Sequence, residues 1–249
     1  MDAVLERLAA FITQNAPSWR ALLLGGPPSL AGSFGALWFA GWLQRRGART
    51  GYTRKVFHVL IFTTVGVLEW RLGTPAVCLF GAACSVAVFT AVCRGPGSLL
   101  YEAIARPKDA PHRTLFVLLP YFATLIGGVA SNLLFGPVAM AGYLVAGLGD
   151  AIGEPAGTMF GRHTYRVRSL SSVPAVRSLE GSAAVFVMSG VAVLLAALAS
   201  PHLTLAASWP ARVLAIAAAS TVVEAASPHG WDNLTMQLIS SALAWAWLT

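Results

Sequence analysis

The sequence predicts an all-α protein, a polytopic integral membrane helix bundle of about eight transmembrane helices with an interfacial helix at the N-terminus. Three observations carry this. Of 249 residues, 56% are hydrophobic and only 11% charged, where a soluble domain carries roughly a quarter charged residues, so a single globular core cannot hide the apolar side chains. The mean hydropathy of +0.67 extends along the whole chain, more than one anchor or a signal peptide would give. Eight helices of about 20 residues use about 160 positions, and what is left is too short for a second soluble domain.

Residues 2–14 set Val4, Leu5, Leu8, Phe11 and Ile12 on one helical face, with Asp2, Glu6 and Arg7 elsewhere. This segment, within 1–18, is too short to span and is expected to lie along the interface. Apolar runs follow at about 21–43, 56–70, 75–92, 114–131, 134–149, 180–200, 211–226 and 233–249. The second is short for a bilayer, the fourth and fifth are divided by a tight turn around Leu134 to Pro137, and Gly25-Gly26-Pro27-Pro28 predicts a break in the first. The whole chain, 1–249, reads as one membrane domain whose bundle occupies 21–249.

The loops at 44–55, 93–113, 150–179 and 227–232 then share one side and contain thirteen of the seventeen Lys and Arg residues. By the positive-inside rule this side is cytoplasmic and both termini face away from it. The formal net charge of +7 is thus an orientation signal, and no solvated basic face exists to bind nucleic acid. Seven of the ten acids, Glu102, Asp109, Asp150, Glu154, Glu180, Glu224 and Asp232, fall in or beside the same loops. Cys78, Cys84 and Cys93 lack metal or redox spacing and read as packing residues.

The most informative stretch is Gly149 to Gly161, GDAIGEPAGTMFG, with glycine at every fourth position. A glycine face of that kind is expected to pack helix on helix. Asp150 and Glu154, at i and i+4, share a face as well, and two acids one turn apart call for a positive counter-charge. A divalent cation, or an arginine such as Arg162 or Arg177, would supply it, and oxygen ligands favour Mg²⁺; a structural network of acids and arginines at a helix end is the other reading. The Arg- and Ser-rich loop Gly161–Ser182 ends in Arg177-Ser178-Leu179-Glu180-Gly181-Ser182 before an apolar helix. Backbone N–H groups at that helix start and the Arg177 fork suit phosphate oxygens, while Glu180 has an equal claim to capping the helix. His58, one turn beyond Arg54, and Asp232-Asn233 after Glu224 approach the same side; a core histidine and a helix cap are their alternatives. No GxxxxGK[ST], GxSxG or HExxH occurs, so P-loop ATPase, α/β-hydrolase and zincin chemistry find no support.

Taken in order, Arg54-Lys55-x-x-His58, Gly149-Asp150 with Gly157 and Gly161-Arg162, Arg177-Ser178-x-Glu180-Gly181-Ser182, and Glu224 with Asp232-Asn233-Leu234-Thr235 resemble the polyprenol kinase family, which includes phytol, farnesol and dolichol kinases and CTP-dependent diacylglycerol kinases. The resemblance implies a membrane kinase that moves the γ-phosphoryl group of CTP or another nucleoside triphosphate to the hydroxyl of a lipid alcohol. It implies Asp150, Glu154, Glu224 and Asp232 as catalytic residues, with Asp150, Glu154 and Asp232 holding Mg²⁺. Lys55, His58, Arg162, Arg177, Ser178, Glu180, Gly181 and Asn233 would bind the nucleotide. Expected partners are the lipid alcohol, the nucleotide and membrane lipids, with a homodimer allowed. The Arg-rich composition suggests a bacterial inner membrane, with the site on the cytoplasmic face. The same GDAIGEPAGTMFGRH and RSLEG stretches also resemble the tail of CDP-diacylglycerol synthases, which makes a phosphatidate cytidylyltransferase the alternative. A small lipid transporter is the alternative of another class, since intramembrane acids serve transport too.

Overall fold

A computed structural model describes residues 2–169 and 173–249, with side chains from Leu5 onward. The side chains of Asp2 and Val4 in the predicted interfacial segment lie outside those described, and Leu170 to Ser172 of the Arg/Ser loop lie outside the described residues. Among the described residues the chain is almost wholly helical. Its helices are α1 (Asp2–Asn15), α2 (Trp19–Arg45), α3 (Thr50–Leu72), α4 (Thr74–Arg94), the short α5 (Leu99–Glu102), α6 (Leu115–Phe135), α7 (Ala139–Leu144), α8 (Asp150–Phe160), α9 (Leu179–Ala199), α10 (Trp209–Ala226) and α11 (Asp232–Leu248). A π-helical turn, Val145–Gly149, joins α7 to α8.

Side-chain contacts fix the directions. α6 runs beside α11 in the same sense, with Thr124 bonded to Asn233 and the Phe135 and Trp245 rings 6.2 Å apart. The α7–α8 rod runs the other way along α11, Gly142 lying against Ser241 and Gly149 against Met236. The chain therefore reverses between α6 and α7, at Gly136, whose φ of 56° favours glycine, with Pro137 starting the next turn. α3 and α9 both oppose α8, through Lys55–Asp150 and Gly66–Leu144 on one side and Gly181–Gly153 and Ser189–Gly149 on the other. As a result the C-terminal ends of α2, α4, α8 and α10 and the N-terminal ends of α3, α6, α9 and α11 gather at one charged end.

Thr74–Arg94, Leu179–Ala199 and the stretch Leu115–Phe160, which the turn at Gly136 divides, are long and apolar enough to cross a membrane, which is compatible with a membrane protein. The bundle also leaves large apolar side chains exposed on its outer faces, including Leu24, Val67, Val86, Ile126, Leu198, Val222 and Trp245, the pattern of a lipid-facing surface rather than a water-facing one.

Three expectations are corrected. α2 runs unbroken through Pro27 and Pro28, because the helix loses only the two hydrogen bonds those prolines cannot donate, and membrane helices tolerate this. α3 is not short: Thr50 to Lys55, polar in sequence, join it and bring it to 23 residues. The loop after α8 contains an antiparallel hairpin, β1 (Thr164–Val167) and β2 (Ala175–Ser178), with Thr164 opposite Ser178 and Tyr165 opposite Arg177. On α1, Leu8 and Phe11 are half-buried while Leu5 and Ile12 are exposed, so the apolar face turns partly to the bundle and partly outward.

Candidate functional site

The site is built on α8, and the π-helical turn before it is a distortion often found at functional positions. From Asp150 onward the helix shows two different faces. Gly149, Gly153 and Gly157 face α9: a β-carbon on them would meet Ser189 Oγ at 2.5 Å, Val185 at 2.8 Å and Ser178 Oγ at 2.9 Å. The glycine stripe is thus a helix-packing surface. Asp150 and Glu154 face α3 instead, as the helical repeat requires.

At the charged end, Asp150, Glu224 of α10 and Asp232 of α11 each offer a carboxylate oxygen within 4.8 Å of the others. Two cations serve them. Lys55 Nζ donates to Asp150 Oδ2 at 2.6 Å, both residues being buried (5% and 8% exposed). Arg177, carried in by β2, reaches Glu224 Oε1 with Nε at 3.0 Å and Asp232 Oδ2 with Nη2 at 2.8 Å. Its third nitrogen, Nη1, is buried with no hydrogen-bond partner among the described residues, and so is Asn233 Oδ1. The Asn233 amide nitrogen donates to Thr124 Oγ1 at 2.9 Å. His58 Nε2 lies 3.1 Å from the Ala146 carbonyl and 3.7 Å from Asp150.

This donor set fits a Mg²⁺ ion with phosphate ligands. Mg²⁺ takes hard oxygen ligands and binds through one or two carboxylates plus phosphates. Three carboxylates facing two cations leave room for positive charge, and the unpartnered Nη1 beside them is a spare donor for an anion.

Glu154 does not join this group. It accepts from Arg54 at 3.4 Å, from Arg106 Nη1 at 3.0 Å on both oxygens and from Lys108 at 2.7 Å. The expectation that Asp150 and Glu154 share one counter-charge, and that Arg162 or Arg177 provides it, is corrected. One helical turn along α8 moves the second carboxylate to the level of a different loop, and Glu224 takes the place next to Asp150 and Asp232.

Arg106 anchors that second network. Its Nε and Nη2 donate to Asp109 at 2.8 and 3.1 Å, and Nη2 also lies 2.8 Å from His229 Nε2. Because a guanidinium only donates, that ring nitrogen accepts. Burial acts to raise the Asp109 carboxyl, but the Arg106 guanidinium bonded to it holds it below the usual carboxylate range. Glu102 is likewise held low against its burial by Arg113, with bonds of 3.3 and 2.6 Å, and by the Gly97 N–H. The 103–113 segment is therefore clamped onto α8 and the α10–α11 turn.

The remaining predicted residues have local duties. Arg162 is exposed. Glu180 accepts from His163 Nδ1 at 2.8 Å and stands apart from the carboxylate group. Ser178 Oγ caps α9 by accepting from Gly181 N–H at 3.0 Å, and Gly181 allows close approach to Gly153. Asp232 opens α11 and accepts from its own neighbour's N–H, Asn233, at 3.1 Å; the N-cap position belongs to Trp231. Sequence reasoning missed Arg106, Lys108, Asp109 and His229. The only signal was the charge density of Arg106-Pro-Lys-Asp109, which also suits a topology signal.

From the carboxylates a cavity of about 510 Å³ runs into the bundle between α3, α4 and α6. Lys55, His58, Asp150 and Asp232 line its charged end, and its wall beyond is mainly apolar. No family model, curated protein or solved structure matches the chain.

Proposed function

We propose that the protein is an integral membrane kinase of the polyprenol kinase type, which transfers the γ-phosphoryl group of CTP or another nucleoside triphosphate to the hydroxyl of a lipid alcohol. The observation that carries this reading is the meeting of Asp150, Glu224 and Asp232 with Arg177 and Lys55 at the mouth of an apolar cavity. Phosphoryl transfer asks a protein mainly for positioning and charge neutralisation, and this inventory provides both.

Asp150 and Asp232 would hold Mg²⁺, which when bound would draw charge from the transferring phosphate. Arg177 presents its free Nη1 to a phosphate oxygen, and the Lys55 ammonium, bonded to Asp150, adds positive charge at the same end. The lipid tail lies in the cavity, so its hydroxyl meets the carboxylates. Its oxygen forms the new bond to the γ-phosphorus as the bond to the bridging oxygen of the nucleoside diphosphate breaks. The hydroxyl proton passes to a carboxylate, for which Glu224 is the candidate. Arg106, through Glu154, is a positioning residue that keeps the 103–113 segment over this end.

The same reading extends to topology. Eight rods, counting α7–α8 as one and alternating in direction along the chain, would each cross the bilayer of a bacterial inner membrane, with the charged end in the cytosol. Purified protein given Mg²⁺, CTP labelled at the α or γ phosphate, lipid alcohols and phosphatidate tests the chemistry. Label from γ is expected on an alcohol; label from α on phosphatidate would make the protein a cytidylyltransferase. Arg177→Ala should weaken nucleotide binding about 10- to 100-fold, the worth of one charge-assisted contact of roughly 1.5–3 kcal/mol, and an unchanged affinity would make Arg177 purely structural.

A further inference from the structure

We infer that the cavity is a channel for one hydrocarbon chain of about twenty carbons, entered sideways between α4 and α6, with Phe11 of α1 closing its wall and limiting chain length. This rests on the kinase reading only for the identity of the chain's head group.

Length comes first. Along α6 the cavity is lined from Phe116, near the charged end, to Asn132. At the helical rise this is about 24 Å, the extended length of roughly twenty chain carbons. The far end is marked by polar Thr74 and Asn132, whose side chains bond to Glu69 at 3.0 Å and to the Gly128 carbonyl at 2.9 Å. A longer apolar tail would press against these groups and disturb them. Between the two polar ends the wall is mainly apolar, with Phe62, Val65, Val88 and Leu125 among its residues. The volume of about 510 Å³ falls within the range of single small-ligand sites and suits one such chain, not the two of a diacylglycerol.

The entrance follows from the seam between α4 and α6. Of the α4 and α6 residues that line the cavity, Ala82 and Leu125 are the two that are exposed, which places the sideways opening of the interior at this seam. Nearer the charged end the seam is closed: Tyr121 Oη donates to Ser85 Oγ at 2.8 Å, and the Phe89 ring stacks edge-on against Tyr121 at 5.3 Å and Phe122 at 6.3 Å. α1 packs against both α4 and α6 and contributes Phe11 to the cavity wall, while Leu5 and Ile12 on the same helix stay exposed. A short helix that bridges a seam and inserts one aromatic ring limits the space behind it.

Gly81 gives the clean test. It lines the cavity about midway, and a β-carbon there meets nothing within 4 Å, so Gly81→Phe can fill the channel without striking backbone. Binding of linear C10, C15 and C20 prenols, a C55 polyprenol and dioleoylglycerol to the full chain in nanodiscs would be measured without nucleotide. Affinity is expected to rise to C20 and to fall at least tenfold for C55 and for dioleoylglycerol. Gly81→Phe should lose at least tenfold for C20 while keeping C10, and Phe11→Ala should improve C55 at least threefold. Equal binding of dioleoylglycerol and C20, or Gly81→Phe binding C20 as the parent does, would overturn the channel. If Gly81→Phe fails to fold, Phe11→Ala decides: no gain for C55 overturns it. Graded binding without γ-phosphate transfer leaves the channel standing and removes the kinase reading, whereas transfer indifferent to chain length does the reverse.

Discussion

The Lys55–Asp150 contact combines two demands on one pair of side chains. In a buried place an ammonium and a carboxylate each need the other, and removing one partner costs about 3–5 kcal/mol because its mate is left charged and unpaired. Asp150→Asn should therefore abolish phosphoryl transfer and also lower the melting temperature in detergent. The double variant Lys55→Met with Asp150→Asn should recover most of the lost stability and none of the activity. Recovery of activity in the double variant would show that Asp150 serves only to neutralise Lys55. At this scale the identities of Asp150, Glu224, Asp232 and Arg177 were legible, because acids clustered near cations at span ends are costly unless they are paired. Their pairing was not. Glu154 looked like the natural partner of Asp150 by sequence spacing, yet its oxygens belong to Arg54, Arg106 and Lys108, which come from α3 and from a segment more than forty residues upstream of it.

At the scale of the element, α8 shows how one short helix serves two purposes. Its glycine face lets α9 approach so closely that a β-carbon on Gly181 would sit 2.8 Å from the Gly153 carbonyl oxygen. Backbone cannot swing aside as a flexible side chain does. Gly181→Ala is expected to destabilise the protein by roughly 1–3 kcal/mol, whereas Gly35→Ala in α2, where nothing lies within 4 Å, should stabilise it by roughly 0.5–1 kcal/mol. Thermal melts of the two variants moving in the same direction would sink this account of the glycine face. The four-residue glycine period announced the packing, but the hairpin β1–β2 was hidden. Two strands of four residues leave too little alternation to stand out within an Arg- and Ser-rich loop, and it is this hairpin that carries Arg177 to Glu224 and Asp232.

Over the whole molecule, tryptophans mark both ends of the bundle. Trp19, Trp70, Trp209, Trp245 and Trp247 stand at the end opposite the site, and Trp38, Trp42 and Trp231 toward the charged end. This is the distribution that interfacial aromatic belts adopt. Cys93 is exposed at the charged end of α4 while Cys78 and Cys84 are half-buried along it. A membrane-impermeant maleimide should therefore label Cys93 in inside-out vesicles and not in right-side-out ones. Labelling in the opposite orientation would put the carboxylates outside the cytosol, where nucleoside triphosphates are scarce, and would remove the kinase reading with them.

The amino-acid order alone determined the helical class, the alternation of apolar runs, and the gathering of acids and cations toward one side. These follow from local composition and helical period, which act over a few turns of chain. Only the tertiary structure decided which carboxylates meet, that Arg106 and His229 share a network with Glu154, and that a cavity opens beneath Asp150 and Asp232. Each of these depends on helices distant in sequence packing at a particular height and rotation, and a displacement of one turn would pair every charge differently.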